Sequence, residues 1–151
     1  MGRIVRMLTA PLLACAFLAC ATTGETRLAE IDAMASSAYT QGDMEQAERH
    51  YRQLVAAPGA GFEAWFRLGN ILARANRVDE AVKMYEKTLE LRADFAPAWR
   101  NLAVLRLRQG LAALLESQAR LDTGDPLYAD NQAIIEALRR APAFGAAGDN
   151  L

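Results

Sequence analysis

The residue types that carry out acid–base, nucleophilic or metal chemistry are few in this chain and lie far apart. The single histidine, His50, has no serine beside it in sequence, and both cysteines, Cys15 and Cys20, lie in an apolar N-terminal segment. One histidine and two cysteines supply too few ligands for a zinc site. The sequence contains no glycine-rich phosphate loop and no Gly-x-Ser-x-Gly motif. We therefore expect a protein that is not an enzyme, with no catalytic residue, no metal and no cofactor.

Arginine and asparagine side chains are better placed to bind a ligand than to react with one. Two sets of three residues share the spacing i, i+3 and i+7, which puts each set on one face of a helix. The sets are Arg67, Asn70 and Arg74, and then Asn101, Val104 and Arg108. Residues 62–74 and 96–110 together hold five arginines and a single acidic residue, Glu63. Because an arginine fork binds a carboxylate through two hydrogen bonds, these segments favour an acidic ligand.

The composition limits the classes of protein to which the chain can belong. It has 151 residues, of which 52% are hydrophobic and 23% charged, so it can form one domain or one short repeat array. The 17 basic and 18 acidic residues give a formal net charge of −1. This balance does not favour binding to nucleic acid through bulk positive charge, and we expect no nucleic-acid partner.

The N-terminal segment has the pattern of a secretion signal. Arg3 and Arg6 precede an apolar run of 13 residues, 7–19, which is shorter than the span of about 20 residues that crosses a bilayer. The end of this run, Phe17-Leu18-Ala19-Cys20, resembles a bacterial lipobox, in which the cysteine becomes the first residue and is acylated. We assign residues 1–19 to a lipoprotein signal peptide. Residues 20–27 are then the lipidated Cys20 and a polar tether that reaches at most about 25 Å when extended.

The sequence leaves two alternatives for the processing site, before Cys15 or before Cys20. Leu12-Leu13-Ala14-Cys15 matches the lipobox better at its leucine, but cleavage there would leave an apolar remnant at the new terminus. Cleavage before Cys20 leaves the polar segment ATTGETR, which favours Cys20. Cleavage without lipidation near Ala19 or Ala21 is the other alternative. Because Ala21, and not aspartate, follows Cys20, the resemblance to sorted lipoproteins implies the outer membrane of a bacterial envelope, with the chain facing the periplasm.

Similar residues recur along the chain with a period of 34 residues. The aligned pairs are Gly42 and Asn76, Ala47 and Ala81, Tyr51 and Tyr85, Trp65 and Trp99, Leu68 and Leu102, Gly69 and Ala103, and Asn76 and Gly110. These residues resemble the tetratricopeptide repeat, in which each unit is a pair of antiparallel helices. The resemblance implies an all-α fold, a short right-handed superhelix of antiparallel helix pairs that stack on one another.

The period divides the chain into three repeats and a terminal helix. We place the repeats at residues 28–61, 62–95 and 96–122, and the second helix of the last repeat, residues 111–122, departs from the pattern. A helix within residues 123–141 is expected to cap the array, and its apolar face contains Leu127, Ile134, Ile135 and Leu138. Residues 142–151, rich in glycine and alanine, are expected to form a disordered tail.

Several aligned positions have a packing reason. Gly69 is expected where the two helices of a repeat approach too closely for a larger side chain. Gly42 and Asn76 favour a positive φ at the end of the first helix of a repeat. Trp65 and Trp99 are expected to have equivalent surroundings, since they occupy the same place in two repeats.

The resemblance also implies where a partner binds, because the first helices of tetratricopeptide repeats line a groove. The groove positions correspond here to Phe66, Arg67, Asn70, Arg74, Arg100, Asn101, Val104 and Arg108. Asn70 and Asn101 resemble the asparagine pair of the chaperone-type carboxylate clamp, whereas Phe66 occupies the position of its lysine. We expect the groove to bind an acidic or C-terminal peptide of another envelope protein. The alternative is that the arginines only keep an exposed face soluble.

Together these features predict a lipid-anchored adaptor that binds another protein of the cell envelope. The architecture resembles that of lipoproteins that help to assemble pili, secretion complexes or polysaccharide exporters. Two alternatives remain from the sequence, a self-associating structural spacer and an accessory subunit of an envelope enzyme. A short solenoid has exposed ends, so a homo-oligomer is compatible with the pattern.

Overall fold

Helix is the only regular secondary structure in the part of the chain that the structure describes. The computed structural model describes the backbone of residues 11–141 and the side chains of residues 26–141. The helices of that part are α1 (Pro11–Gln41), α2 (Met44–Ala56), α3 (Phe62–Arg74), α4 (Val78–Leu91), α5 (Ala96–Gln118) and α6 (Pro126–Arg140). They belong to two compact units, Met1–Leu54 and Val55–Leu151. The predicted all-α class is confirmed.

The predictions for the two ends of the chain fall largely outside the described residues. Residues 1–10, residues 142–151 and the side chain of Cys20 lie there, so the signal peptide, the lipidation and the disordered tail stay predictions. The expected tether, residues 20–27, lies within α1 and is therefore helical instead of extended. At about 1.5 Å per residue it spans about 12 Å, roughly half the predicted reach. Among the helices of the described part, none is long and apolar enough to cross a membrane.

In the first unit, the end of α1 and the start of α2 are joined by a tight turn at Gly42. Gly42 has φ 81°, so the predicted positive φ is confirmed. The backbone N–H of Gln46 donates to Asp43 Oδ1 at 3.0 Å, which caps the start of α2. Tyr51 on α2 is 3% exposed, and its ring meets that of Tyr39 edge-on with the centroids 6.3 Å apart.

In the second unit, α3 and α4 pack most closely where Gly69 faces Tyr85. A Cβ atom on Gly69 would lie 2.7 Å from Tyr85 Cε1 and 3.3 Å from Met84 Cβ, so only glycine fits without movement of these neighbours. Tyr85 and Ala81 are both fully buried. The chain leaves α3 through Asn76, which has φ 57°. The predicted close approach at Gly69 and the positive φ at Asn76 are confirmed.

Helix α5 does not end where the 34-residue period predicts. It continues from Ala96 to Gln118 through Gly110, so the prediction of a separate second helix over residues 111–122 is wrong. The physical reason lies in the residues that follow the glycine. Asp43 caps α2, whereas Gly110 is followed by Leu-Ala-Ala-Leu-Leu-Glu, which contains strong helix formers and no capping residue. The repeat boundaries at residues 28, 62 and 96 remain predictions.

Helix α6 occupies the range in which the sequence predicts a terminal helix, and it packs on α5. Asp125 caps it by accepting a hydrogen bond from the N–H of Leu127 at 2.8 Å, and proline stands at its first position. Asn131 and Ile135 are 4% and 3% exposed. Leu127 and Ile134 are 49% and 48% exposed. The expected capping face is therefore only partly covered.

Trp65 and Trp99 are each the fourth residue of their helix, yet their surroundings differ. Trp65 is half-buried. Trp99 is 54% exposed, and its Nε1 donates to the carbonyl oxygen of Ala93 at 2.8 Å. The expectation of equivalent surroundings is wrong, because no helix of the described part covers the face of α5 that carries Trp99 and Ala103 in the way that α4 covers the Gly69 face of α3.

Replacement of Gly69 by alanine is expected to lower the free energy of unfolding by about 1–3 kcal/mol, because the new methyl group overlaps the Tyr85 ring. Thermal or urea unfolding followed by circular dichroism measures the change. Gly110→Ala is the matched control: nothing lies within 4 Å of its added Cβ, and a glycine inside a helix costs about 0.5–1 kcal/mol relative to alanine. Gly110→Ala should therefore stabilise the protein. A loss of stability from this control would contradict the continuous helix α5.

Candidate peptide-binding groove

The eight residues predicted to line the groove divide into a buried and an accessible group. Asn70, Asn101 and Val104 are 5%, 5% and 9% exposed. Phe66 and Arg108 are half-buried, and Arg67, Arg74 and Arg100 are exposed. The predicted set therefore contains a buried centre with arginines around it, instead of one continuous exposed surface.

Asn70 and Asn101 lie in a buried hydrogen-bond network that links α3, α4 and α5. The Tyr85 hydroxyl donates to Asn70 Oδ1 at 2.9 Å, and Asn101 Nδ2 donates to the same oxygen at 3.1 Å. Asn101 Nδ2 also lies 3.4 Å from the Tyr85 oxygen. Buried polar groups are costly unless they are paired, so this network stabilises one relative position of the three helices.

The network also sets the orientation of both amides. Two donors meet the Oδ1 atom of Asn70, which turns its Nδ2 group away from Asn101. Arg100 Nη1 donates to Asn101 Oδ1 at 3.4 Å, so the network extends to an exposed guanidinium. Within the described residues the structure gives the Nδ2 group of Asn70 no acceptor, and this donor is the one that a ligand could use.

The arginines do not all belong to the groove. Arg67 and Arg74 lie two turns apart on one face of α3, and each also interacts with its own chain, as does Arg108. Arg106 pairs with Glu86 of α4 at 2.5 Å. Of the five arginines in residues 62–74 and 96–110, four therefore remain as candidates for the groove, because Arg106 pairs with Glu86 of α4.

A cluster of aromatic rings beside Tyr85 was not predicted from the sequence. The Phe66 ring lies 4.9 Å from that of Phe95 and 5.8 Å from that of Tyr85, between ring centroids. Phe62 lies 5.1 Å from Phe95. The Arg92 guanidinium stands 4.7 Å above the Phe62 ring, a cation–π contact. The available signal was the pair Phe62 and Phe95, which precede the tryptophans of two first helices, but only the fold brings the rings together.

The other polar groups of the described part include no candidate metal site. Among the described residues, no group of three or more His, Cys, Asp or Glu side chains is placed to hold a metal ion. His50 is half-buried on α2, and its Nδ1 atom has no hydrogen-bond partner among the described residues. The features that remain for function are the polar network, the aromatic cluster and the arginines.

Comparison with known sequences identifies the family. A model of the family described as "Tetratricopeptide repeat" matches residues 33–94 and 74–114, which together span more than half of the chain. The chain belongs to the tetratricopeptide repeat family. The helical repeat fold predicted from the 34-residue period is thereby confirmed.

Two relatives show how far the similarity extends. The chain is 33% identical over 90 residues to the peroxisomal targeting signal receptor of Saccharomyces cerevisiae, which covers 50% of this chain and 15% of that protein. It is 28% identical over 128 residues to the Hsp70-Hsp90 organizing protein of Triticum aestivum, which covers 78% of this chain and 22% of that protein. The chain thus spans less than a quarter of either relative. Members of the tetratricopeptide family are typically non-enzymatic. The coarse function that applies to this chain is that of a scaffold or adaptor for protein–protein interaction.

Replacement of Tyr85 by phenylalanine is expected to lower the free energy of unfolding by about 1–2 kcal/mol, because two buried amides lose a partner. Chemical unfolding monitored by circular dichroism gives the value. Tyr128→Phe is the matched control, since Tyr128 is half-buried and its hydroxyl has no partner among the described residues. The control should change stability by less than about 0.5 kcal/mol. Equal losses in both variants would refute a stabilising role for the network.

Proposed function

We propose that the chain is a membrane-anchored adaptor that binds an acidic, C-terminal peptide segment of another envelope protein in the groove between α3 and α5. The carrying observation is the buried amide pair with exposed arginines on both helices. The names of the two relatives, a peroxisomal targeting signal receptor and an Hsp70-Hsp90 organizing protein, support a groove that takes a segment of another protein.

Charge selects the ligand class in this proposal. Arg67 and Arg74 on α3 and Arg100 on α5 are exposed, and Glu63 is the single acid of residues 62–74 and 96–110. A peptide carboxylate is attracted by this field, and a guanidinium binds it in a bidentate way. Acidic side chains and a free carboxyl terminus both pair with these arginines, so we expect a peptide that has both to bind most tightly.

In this proposal the polar network fixes where the backbone of the bound peptide lies. The Nδ2 group of Asn70 is turned away from Asn101, and a peptide carbonyl can accept from it. Because Tyr85 and Asn101 hold this amide from the other side, the donor is oriented before the ligand arrives. Phe66, half-buried against Phe95, replaces the lysine of the chaperone-type clamp and offers an apolar contact to the next side chain of the peptide.

The membrane part of the proposal rests on the N-terminal sequence. Two arginines, a short apolar run and the segment ending at Cys20 are the pattern of a bacterial lipoprotein signal. If Cys20 is acylated, the helical residues 20–27 hold the remainder of α1 about 12 Å from the lipid surface. The adaptor would then present its groove near an outer membrane, where assembly of a pilus, a secretion complex or an exporter is the role we favour.

Reversal of the groove charge tests the ligand class. The double variant Arg74→Glu, Arg108→Glu is expected to weaken binding to acidic octapeptides with a free carboxyl terminus by about tenfold or more, because attraction becomes repulsion. Fluorescence anisotropy with labelled peptides measures the dissociation constant, and amidated peptides of the same sequences show the contribution of the terminal carboxylate.

The control for this experiment is Arg139→Glu, Arg140→Glu. It makes the same change in net charge on α6, away from α3, and both of its residues are exposed. Binding should fall by less than about twofold in the control at physiological salt, where distant charges are screened. An unchanged affinity in the folded Arg74, Arg108 double variant would overturn the groove proposal.

Replacement of Cys20 tests the anchor. In bacterial cells fed with an alkyne analogue of palmitate, the wild-type chain and Cys15→Ser should take up the label, whereas Cys20→Ser should not, because its cysteine is gone. Fractionation should move Cys20→Ser out of the membrane pellet, since stable attachment depends on the acyl chains. Loss of label from Cys15→Ser alone would assign the anchor to the other cysteine, and label in neither case would argue against lipidation.

A further inference from the structure

One face of α5 is covered along only half of its length. Its residues follow a spacing of three or four, and they are Trp99, Ala103, Leu107, Gly110, Leu114 and Ser117. At the C-terminal half, Asn131 Nδ2 of α6 donates to Ser117 Oγ at 3.0 Å. At the N-terminal half, Trp99 is 54% and Leu107 42% exposed, and Ala103 is exposed as well.

The same face of α3 shows what covers such a surface. Gly69 and Ala73, one repeat earlier than Ala103 and Leu107, are buried, and Gly69 packs against Tyr85 of α4. In α5 the corresponding helix is missing from the start of the face, because the chain does not turn at Gly110. The first three turns of α5 thus expose a face that receives a helix in the preceding repeat.

Helix α6 carries a second uncovered apolar surface. Leu127 and Ile134 lie two turns apart on one side of the helix and are about half exposed, while Asn131 and Ile135 face α5. Asp130 lies between them on the exposed side and has no ion-pair partner among the described residues. The exposed half of α5, residues 96–107, carries Arg100 and Arg106 and no acid, and Arg106 also pairs with Glu86 of α4. Residues 127–134 of α6 carry one acid, Asp130, and no base, so this stretch matches the exposed half of α5 in apolar character and is opposite to it in charge.

We propose that this chain forms a twofold dimer in which α6 of each copy packs on the exposed first half of α5 of the other copy. Asn131 lies opposite Ser117, so α6 runs antiparallel to α5 and ends near residue 108. A twofold axis beside residues 107–108 brings the second α5 antiparallel to the first, and each α6 then faces the free half of the opposite α5. One symmetry operation covers both surfaces of both copies, as an isologous interface requires.

A second copy fits these surfaces better than a foreign helix, because the chain itself carries both of them. The exposed half of α5 in one copy is covered by the uncovered side of α6 in the other copy. The free stretch of α5 is about 18 Å long and α6 about 22 Å, at about 1.5 Å per residue, so the two lengths agree. The dimer goes beyond the proposed groove, because its apolar contacts use Trp99, Ala103 and Leu107, and Arg100 is the single groove residue that borders them.

Photo-crosslinking of the full chain in cells tests the dimer. With p-benzoylphenylalanine at position 107 and two differently tagged copies, illumination should give a product of twice the chain mass that carries both tags. Mass spectrometry should place the attachment within residues 127–138. The same photoreactive residue at position 90 is the control, since Glu90 is exposed on α4 away from α6.

Variants of α6 separate the proposed contact from other occupants of the surface. Ile134→Asp and Asp130→Arg should each lower the yield of the doubly tagged product by about tenfold or more. Asp122→Arg, an equal charge change in the exposed loop before α6, should not lower it, and circular dichroism checks that every variant is folded. Attachment to residues 142–151 of the same chain, attachment to a different protein, or a yield no higher than that of position 90 would overturn the dimer.

Discussion

The close approach of α3 and α4 at Gly69 is the constraint on which the rest of the second unit depends. The Tyr85 ring occupies the space that any side chain at position 69 would need. This contact brings the Tyr85 hydroxyl into hydrogen-bond distance of Asn70 and Asn101. A single aromatic residue thus joins three helices, by its ring to α3 and by its hydroxyl to both α3 and α5.

In the groove that we propose, the residues expected to bind the ligand also stabilise the fold. An amide whose oxygen accepts two buried hydrogen bonds has little freedom to rotate, so its amino group keeps one direction. The amino group of this amide has already lost its rotational freedom in folding. A ligand that accepts a hydrogen bond from it would therefore cost little further conformational entropy. In the same proposal the arginines on the exposed sides of α3 and α5 would add attraction, and their long side chains could adapt to different peptides. A groove with fixed amides at its centre and adaptable arginines around them would suit an adaptor that recognises a short peptide segment.

Local residue types were sufficient to predict part of this fold. A period of 34 residues located α3 and α4, and the turn residues Gly42 and Asn76 have the positive φ expected of them. Gly110 occupies an aligned position, but a helix ends only if the following residues favour a new start, and here they favour continuation. The burial of the asparagines could not be predicted either. The burial of Asn70 and Asn101 depends on how close Tyr85 comes to α3 and α5, and this distance cannot be predicted from a residue pattern.

The missing turn at Gly110 follows from the same contact that organises the preceding repeat. In a third helix pair, Leu115 would stand at the place of the fully buried Ala81, and Ala119 at the place of Tyr85. A fold-back would therefore crowd the helices at one point and leave a cavity at Ala103, where the Tyr85 ring fills the equivalent space. Continuation of α5 avoids both defects but leaves Trp99 and Leu107 accessible to water. Leu115 and Ala119, the residues that prevent a third helix pair, thus also leave the side of α5 with Trp99 and Leu107 open to contact with another helix.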